Sequence, residues 1–138
     1  GGAFDLIHVG HIHLLEYAHS LEDLLVVAVL SDKSIHKYKD PLRPVINQKQ
    51  RALMVASIRF VDLVYISETG PSSAKTLELL RPDSVVFGEE ESNTENIARW
   101  VERIKNFSPN TKIKLLPRYN EEVVSTSLII KRIQSIAR

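Results

Sequence analysis

An unbroken apolar run, Leu24–Leu30, constrains the fold of this chain more than any other feature. The run has no polar alternation, which is typical of a strand covered on both faces, as in a parallel sheet. Shorter apolar segments of the same kind recur along the chain. They predict further strands at Val61–Ile66, Ser84–Phe87 and Ile113–Leu116.

Segments with helical spacing of apolar residues lie between these strands. One of them carries an amphipathic stripe at i, i+3, i+4 and i+7 that runs from Ile97 to Ile104. Alternating strands and helices predict right-handed βαβ units, and hence an α/β fold with a doubly wound parallel sheet in one domain over residues 1–138. The predicted helices are His11–Ser20, Gln48–Ile58, Pro71–Leu80, Glu95–Lys105 and Ser125–Ile136.

Two segments do not follow this alternation. Ser31–Asn47 is weakly patterned, and we expect a functional or mobile loop there. The sequence opens at Gly1-Gly2. In a doubly wound sheet, the first strand comes directly before such a glycine turn. We therefore expect the first strand to lie upstream of Gly1.

Composition narrows the classes of function. Lys and Arg total 18 against 17 for Asp and Glu, a formal net charge of +1, which argues against attachment to nucleic acid or to a membrane by bulk charge. The sequence contains no Cys, so a disulfide framework, a thiolate zinc site and a cysteine nucleophile are excluded. A reducing, cytoplasmic location fits this composition.

The first residues of the chain contain the main candidates for a functional site. His8 and His11 lie three residues apart around Gly10, at the predicted start of a helix. A helix N-terminus presents unpaired N–H groups and a positive dipole end, and two imidazole donors there form a cradle for phosphate oxygens. A metal site that includes His13 is the alternative, although no acidic cluster completes a ligand set. Spacing alone leaves both open.

The segment Gly2–His11 reads Gly-Ala-Phe-Asp-Leu-Ile-His-Val-Gly-His. It resembles the signature of the cytidylyltransferase-like nucleotidyltransferases, which is Gly-Thr-Phe-Asp, two apolar residues and His-x-Gly-His. The resemblance extends over nearly the whole chain and implies a Rossmann-like fold. Further matching segments follow in the family's order, at Val27–Asp32, Lys37–Lys39, Arg43–Val45, Gln50-Arg51, Val61-Asp62, Phe87–Glu89, Leu116–Arg118 and Val124–Ser127.

The resemblance implies that a phosphorylated acceptor attacks the α-phosphorus of a nucleoside triphosphate and that pyrophosphate leaves. The protein then supplies alignment and fixed positive charge. By the same resemblance Lys37 and Asp5 bind the acceptor, and Mg²⁺ or another divalent cation accompanies the triphosphate. The implied catalytic residues are His8, His11 and Lys39; the implied nucleotide-binding residues are Ala3, Phe4, His8, Gly10, His11, Arg118, Ser125, Thr126 and Ser127.

Departures from the family pattern leave the nucleobase and the acceptor open. Ala3 replaces the common Thr, and Glu89–Glu91 replaces the usual Asp. We favour ATP over CTP and AMP transfer to a sugar phosphate, with glycerol-3-phosphate cytidylyltransferase and FAD synthase as alternatives. A nucleotide-binding sensor without turnover is the non-enzymatic alternative. A fragment of a class I aminoacyl-tRNA synthetase is disfavoured because the chain is short. A homodimer is compatible with the family.

Several residues also have plain structural interpretations. Ser125 is a candidate helix N-cap. Asp5 is expected to order its turn by accepting backbone N–H bonds. Arg51 is interpreted either as a surface residue of its helix or as a partner of Asp62.

Overall fold

The computed structural model describes residues 1–38, 41–88, 94–117, 119 and 124–137. Strands and helices alternate through these ranges, as the apolar pattern predicts, except that two helices follow the first strand. In chain order the elements are α1 (Val9–His19), β1 (Val26–Leu30), α2 (Asp32–Tyr38), α3 (Gln48–Ala56), β2 (Leu63–Ser67), α4 (Ala74–Leu80), β3 (Ser84–Gly88), α5 (Thr94–Phe107), β4 (Lys112–Leu116) and α6 (Thr126–Ile136).

The strands form two parallel pairs. β1 pairs with β2 from Val26↔Leu63 to Leu30↔Ser67, and β3 pairs with β4 from Ser84↔Lys112 to Gly88↔Leu116. Helices connect the strands of each pair, as parallel pairing requires. The predicted α/β class with parallel strands is therefore confirmed. Within the described residues no backbone ladder joins the two pairs.

Gly2 lies along β1 on the edge opposite to β2. Its N–H donates to the carbonyl of Ala28 at 2.9 Å, and its carbonyl accepts from the N–H of Leu30 at 2.9 Å. Along a strand, the backbone N–H and C=O groups of successive residues point to opposite edges. The bonds to Gly2 therefore use the edge of β1 that β2 does not occupy. The glycine turn therefore begins beside the carboxyl end of a central strand, where α/β folds place ligands.

Two apolar clusters form the core. Val27, Ala28 and Val29 of β1 are each 0–1% exposed, which confirms that this strand is covered on both faces. The first cluster packs Phe4, Leu15, Val27, Val29 and Val55 together. The second packs Leu77, Val85, Phe87 and Ile104, with Trp100 stacked on Phe87.

The prediction of a continuous loop over Ser31–Asn47 is wrong in its first half. α2 occupies Asp32–Tyr38, and Ile35 is buried in the core. The hydroxyl of Ser31 accepts the N–H of Ser34 and so caps the first turn. A helix this short shows only about two helical repeats, which is too little for periodicity to reveal it.

In the described part of the chain, no helix is both long enough and apolar enough to cross a bilayer.

Candidate active site

A strained turn, residues 3–7, connects Gly2 to α1. Phe4 and Leu6 have positive φ angles of 51° and 56°, in the left-handed region that non-glycine residues rarely adopt. Each such residue costs about 1–3 kcal/mol, and it persists only where its surroundings determine it. Here the Phe4 ring is buried, and its centroid lies 5.3 Å from that of His11. One of the two left-handed residues, Phe4, therefore packs against a member of the histidine pair.

His8 and His11 begin α1 as a reciprocal cap. His8 is the N-cap, and its Nδ1 accepts the N–H of Gly10 at 3.2 Å. The Nδ1 atom of His11 accepts the backbone N–H of His8 at 3.3 Å. The two ring centroids are 3.9 Å apart, with the planes tilted by 33°. Capping by imidazole pairs explains why α1 begins at Val9, before the predicted start at His11.

This capping decides which ring nitrogen carries the proton. An Nδ1 atom that accepts a backbone N–H is unprotonated, so in each neutral ring the proton resides on Nε2. Both Nε2–H groups are then donors, in adjacent rings at the positive end of a helix. The arrangement suits phosphate oxygens. It does not suit a metal bound by both Nδ1 atoms, because the lone pairs of these atoms already accept backbone N–H groups.

The start of α6 lies against the same turn. The Thr126 hydroxyl donates to the carbonyl of Asp5 at 2.6 Å, over a separation of 121 residues. Ser125 is the N-cap, and its hydroxyl accepts the N–H of Leu128, so its interpretation as a cap is confirmed. Ser127 is exposed on the first turn. Two helix N-termini therefore lie beside one turn, and nucleotide contacts by these hydroxyl residues stay a prediction.

Asp5 is buried, and both of its carboxylate oxygens are engaged. They accept the N–H groups of Val45 and Ile46 at 3.1 Å, and Oδ2 accepts from the Nε of Arg43 at 2.8 Å. The Asp5 and Arg43 side chains are 1% and 11% exposed. The carboxylate therefore ties the turn to the segment after α2. Direct contact of Asp5 with an acceptor stays a prediction, and the carboxylate would have to leave these bonds to make it.

The predicted basic groups are only partly within the described residues. Lys37 lies exposed in the last turn of α2. Lys39, Arg118 and Glu89–Glu91 lie outside the described residues. Their predicted roles stay predictions.

Arg51 is the residue that sequence reasoning most misjudged. It is 0% exposed, so it is not a surface residue. It pairs with Asp32 at 2.8 Å, while Asp62 instead accepts the N–H of Leu25. Both earlier interpretations are therefore wrong. A single arginine on a polar helix face carries no local signal of burial, since its acceptors come from distant segments.

A second unpredicted feature is an aromatic contact between α1 and the segment after β4. The centroids of the His13 and Tyr119 rings are 4.9 Å apart. His13 lies one turn after Gly10, on the face of α1 that approaches the carbonyl of Val124. No group of three His, Cys, Asp or Glu suited to a metal occurs in the described part of the chain.

Comparison with known proteins identifies the family. The family model described as Cytidylyltransferase-like matches residues 1–132, nearly the whole chain. This chain belongs to the cytidylyltransferase-like family. The predicted family and the nucleotidyltransferase class are confirmed. The role of the histidine pair in that activity stays a prediction.

Two groups of relatives within the family cover the chain almost completely. FAD synthase of Pyrococcus abyssi is 38% identical over 138 residues, 99% of this chain and 90% of that protein. Bifunctional protein HldE of Helicobacter pylori is 37% identical over 133 residues, 96% of this chain but 26% of that protein. These relatives favour an adenylyltransferase over a cytidylyltransferase.

A solved structure confirms the fold of this family member. The lipopolysaccharide core biosynthesis protein from Thermoplasma volcanium superposes with a TM-score of 0.74 and 27% sequence identity. The match covers 86% of this chain and 93% of that protein. The Rossmann-like nucleotidyltransferase architecture is thereby confirmed.

Gly10 of the family signature leaves room for the His8 ring. A Cβ at this position would lie 3.1 Å from both Cε1 and Nδ1 of His8. We expect Gly10→Ala to displace the imidazole by a few tenths of an ångström and to lower kcat roughly tenfold, since small misplacements of reacting groups are costly. Stability should be unchanged or higher by up to about 1 kcal/mol, because Ala favours helix over Gly.

Steady-state kinetics together with thermal unfolding of the Gly10→Ala protein test this expectation. Glu16→Ala, an exposed change on the same helix, is the matched control and should leave kcat unchanged. A normal turnover rate for the Gly10→Ala protein would contradict the expectation, because it would show that displacement of the His8 ring does not affect catalysis.

Proposed function

We propose that this protein transfers AMP from ATP to FMN, forming FAD and pyrophosphate. The carrying observation is the histidine pair: two imidazoles at one helix N-terminus, whose Nδ1 atoms accept backbone N–H groups. This bonding leaves the proton of each neutral ring on Nε2. That pair supports adenylyl transfer in general. The choice of FMN is supported by the FAD synthase relatives, which match along about nine-tenths of their own length.

The chemistry needs no protein nucleophile. A phosphate oxygen of FMN attacks the α-phosphorus of ATP, and a new P–O bond forms. The bond from the α-phosphorus to the bridging oxygen breaks, and pyrophosphate leaves with that electron pair. The attacking phosphate is already deprotonated near neutral pH, so no general base is required. What the reaction requires is alignment and stabilisation of charge on the phosphoryl oxygens.

The residues of this chain have defined tasks in that scheme. The Nε2–H groups of His8 and His11 donate to the phosphates, and the N-terminal N–H groups of α1 add a positive dipole end. Thr126 holds the turn from the α6 side. Lys39 and Arg118 supply positive charge over the triphosphate, and Lys37 supplies it near the acceptor phosphate. The last three roles come from the family resemblance.

A divalent cation is proposed to arrive with the triphosphate. Mg²⁺ supplies charge neutralisation on the phosphates and prefers oxygen ligands, mostly water and phosphate. The donors described here do not fit a protein-held ion, since the Asp5 carboxylate is committed to Arg43 and to backbone N–H groups. We derive no step through a protein-bound metal.

A second candidate acceptor is a sugar phosphate, the acceptor favoured from sequence. Its support is the HldE relative, at 37% identity, together with the solved lipopolysaccharide core biosynthesis protein. The chain spans only about a quarter of HldE, whereas it spans most of FAD synthase. FMN is therefore the better supported acceptor. A cytoplasmic location, a homodimer and the absence of nucleic-acid and membrane partners stay predictions.

Product analysis separates these candidates. The protein is incubated with ATP and FMN, with ATP and a heptose 1-phosphate, and with CTP and glycerol 3-phosphate, and both pyrophosphate and the nucleotide product are measured. We expect FAD from ATP and FMN at a rate at least tenfold above the other pairs. Product from the heptose phosphate alone would select the second candidate. Nucleotide binding with no pyrophosphate from any pair would indicate a sensor module.

A further inference from the structure

The largest side chain that the described residues bury completely is that of Arg51, on α3. Its guanidinium donates from Nε to the carbonyl of Ile46 at 2.8 Å and from Nη2 to the carbonyl of Leu30 at 2.7 Å. Nη2 also pairs with Asp32 at 2.8 Å, and Nη1 donates to the carbonyl of Ala3. A planar guanidinium presents its N–H groups in a rigid fork, so it fixes all these acceptors relative to one another.

Three of these acceptors lie in the turn or at the carboxyl end of β1. Ala3 is the first residue of the strained turn, Leu30 ends β1, and Asp32 begins α2. Arg51 therefore sets the spacing between the turn and the carboxyl end of β1. Arg51 thus holds the turn in addition to the bonds made by the Asp5 carboxylate and by Thr126.

We infer that Arg51 is a positioning residue for the nucleotide, which acts through the turn on the two histidines. Because its side chain is 0% exposed, Arg51 itself does not reach a substrate. Its bond to the Ala3 carbonyl holds the backbone immediately before Phe4, and the Phe4 ring packs 5.3 Å from that of His11. The inference deepens the proposed adenylyl transfer and rests on it for the kinetic readout.

The alternative to positioning is a purely structural role, in which loss of Arg51 destabilises the fold without altering the folded site. Arg51→Lys separates the two roles. Lysine keeps the positive charge beside Asp32, but one ammonium group cannot span four acceptors in different segments. Under the positioning role, the folded variant should have a displaced turn and displaced histidines.

The matched control is Ile104→Ala, which opens the second core cluster, and this cluster contains no residue of the turn. It destabilises the protein by removing buried methyl groups, and it touches no group of the site. Both variants are measured at a temperature where circular dichroism shows them fully folded. Any difference between them then reports on the site rather than on the population of folded protein.

The experiment measures ATP affinity by calorimetry without an acceptor, kcat and KM for FAD formation, and the imidazole NMR signals. For Arg51→Lys we expect at least tenfold weaker ATP binding, a lower kcat, and shifted His8 and His11 signals with the exposed His36 signal unmoved. For Ile104→Ala we expect all three readouts to match the wild type. The inference is overturned if Arg51→Lys behaves like Ile104→Ala.

ATP affinity and the histidine signals do not depend on the acceptor, so they test the positioning role even if FMN proves to be wrong. Should Arg51→Lys not fold, Asp32→Asn serves as the second variant. It removes the ion pair but keeps the arginine and its three carbonyl acceptors. We expect at least threefold weaker ATP binding from it, and unchanged binding together with unmoved His8 and His11 signals would overturn the inference.

Discussion

Replacing His8 with Asn is expected to lower kcat for adenylyl transfer by about 10²–10³, the usual loss when one preorganised donor to a developing oxyanion is removed. The physical reason is the tautomer: Nδ1 of His8 caps the helix, so the neutral ring donates through Nε2–H. Asn is among the best N-cap residues. Its side-chain oxygen can accept the N–H of Gly10, so the helix keeps its cap while the donor is lost.

The measurement is single-turnover kinetics with thermal unfolding on the same preparation. Unfolding free energy should change by less than about 1 kcal/mol, whereas His8→Ala should also lose about 0.5–2 kcal/mol of capping. His36→Asn on the exposed surface of α2 is the control and should change neither quantity. Normal turnover by His8→Asn would falsify the assignment of His8 as a phosphate donor.

Replacing Asp5 with Ala is expected to lower the unfolding free energy by about 3–5 kcal/mol, the range for removing one partner of a buried ion pair. The loss arises because Arg43 becomes an unpaired, largely buried charge and two backbone N–H groups lose their acceptor. In a domain of this size we expect the Tm to fall by roughly 10–20 °C. Chemical denaturation and calorimetry measure both quantities.

A double-mutant cycle with Arg43→Ala isolates the pair. The double variant should be more stable than the sum of the single losses predicts, because it no longer contains the unpaired guanidinium. Glu68→Ala removes the carboxylate of an exposed ion pair with Lys33, 3.5 Å long, and should cost less than about 1 kcal/mol. Equal losses from Asp5→Ala and Glu68→Ala would show that the Asp5 pair contributes no more than a surface contact.

Several features of the site could be predicted from the sequence because their causes are local. The apolar run at β1 predicts a two-sided strand, and Val27–Val29 are buried accordingly. The spacing of His8 and His11 predicts neighbouring rings at a helix start, and the rings are 3.9 Å apart. Ser125 predicts an N-cap and is one. Each of these depends on residues within about one turn or one strand of each other.

Other features depend on contacts between distant parts of the chain. The Asp5–Arg43 pair joins residues 38 apart, and the bond from Thr126 to Asp5 spans 121. Periodicity and capping patterns carry no information about such pairs. For this reason the sequence predicts Arg51 as a surface residue or a partner of Asp62, although Arg51 is wholly buried and pairs with Asp32. The family signature located the turn without indicating what holds it.

By itself the amino-acid sequence determined the layered α/β class, the positions of the strands and the histidine pair that begins α1. These features follow from local hydrophobic patterns and from hydrogen bonds between residues that are close in the sequence. Only the tertiary structure decided that the turn at Phe4 is left-handed, that Asp5 is turned towards Arg43, and that Arg51 joins three segments. The reason is that a buried charge takes its partners from whatever the fold brings within about 3 Å, and separation along the chain does not limit that choice.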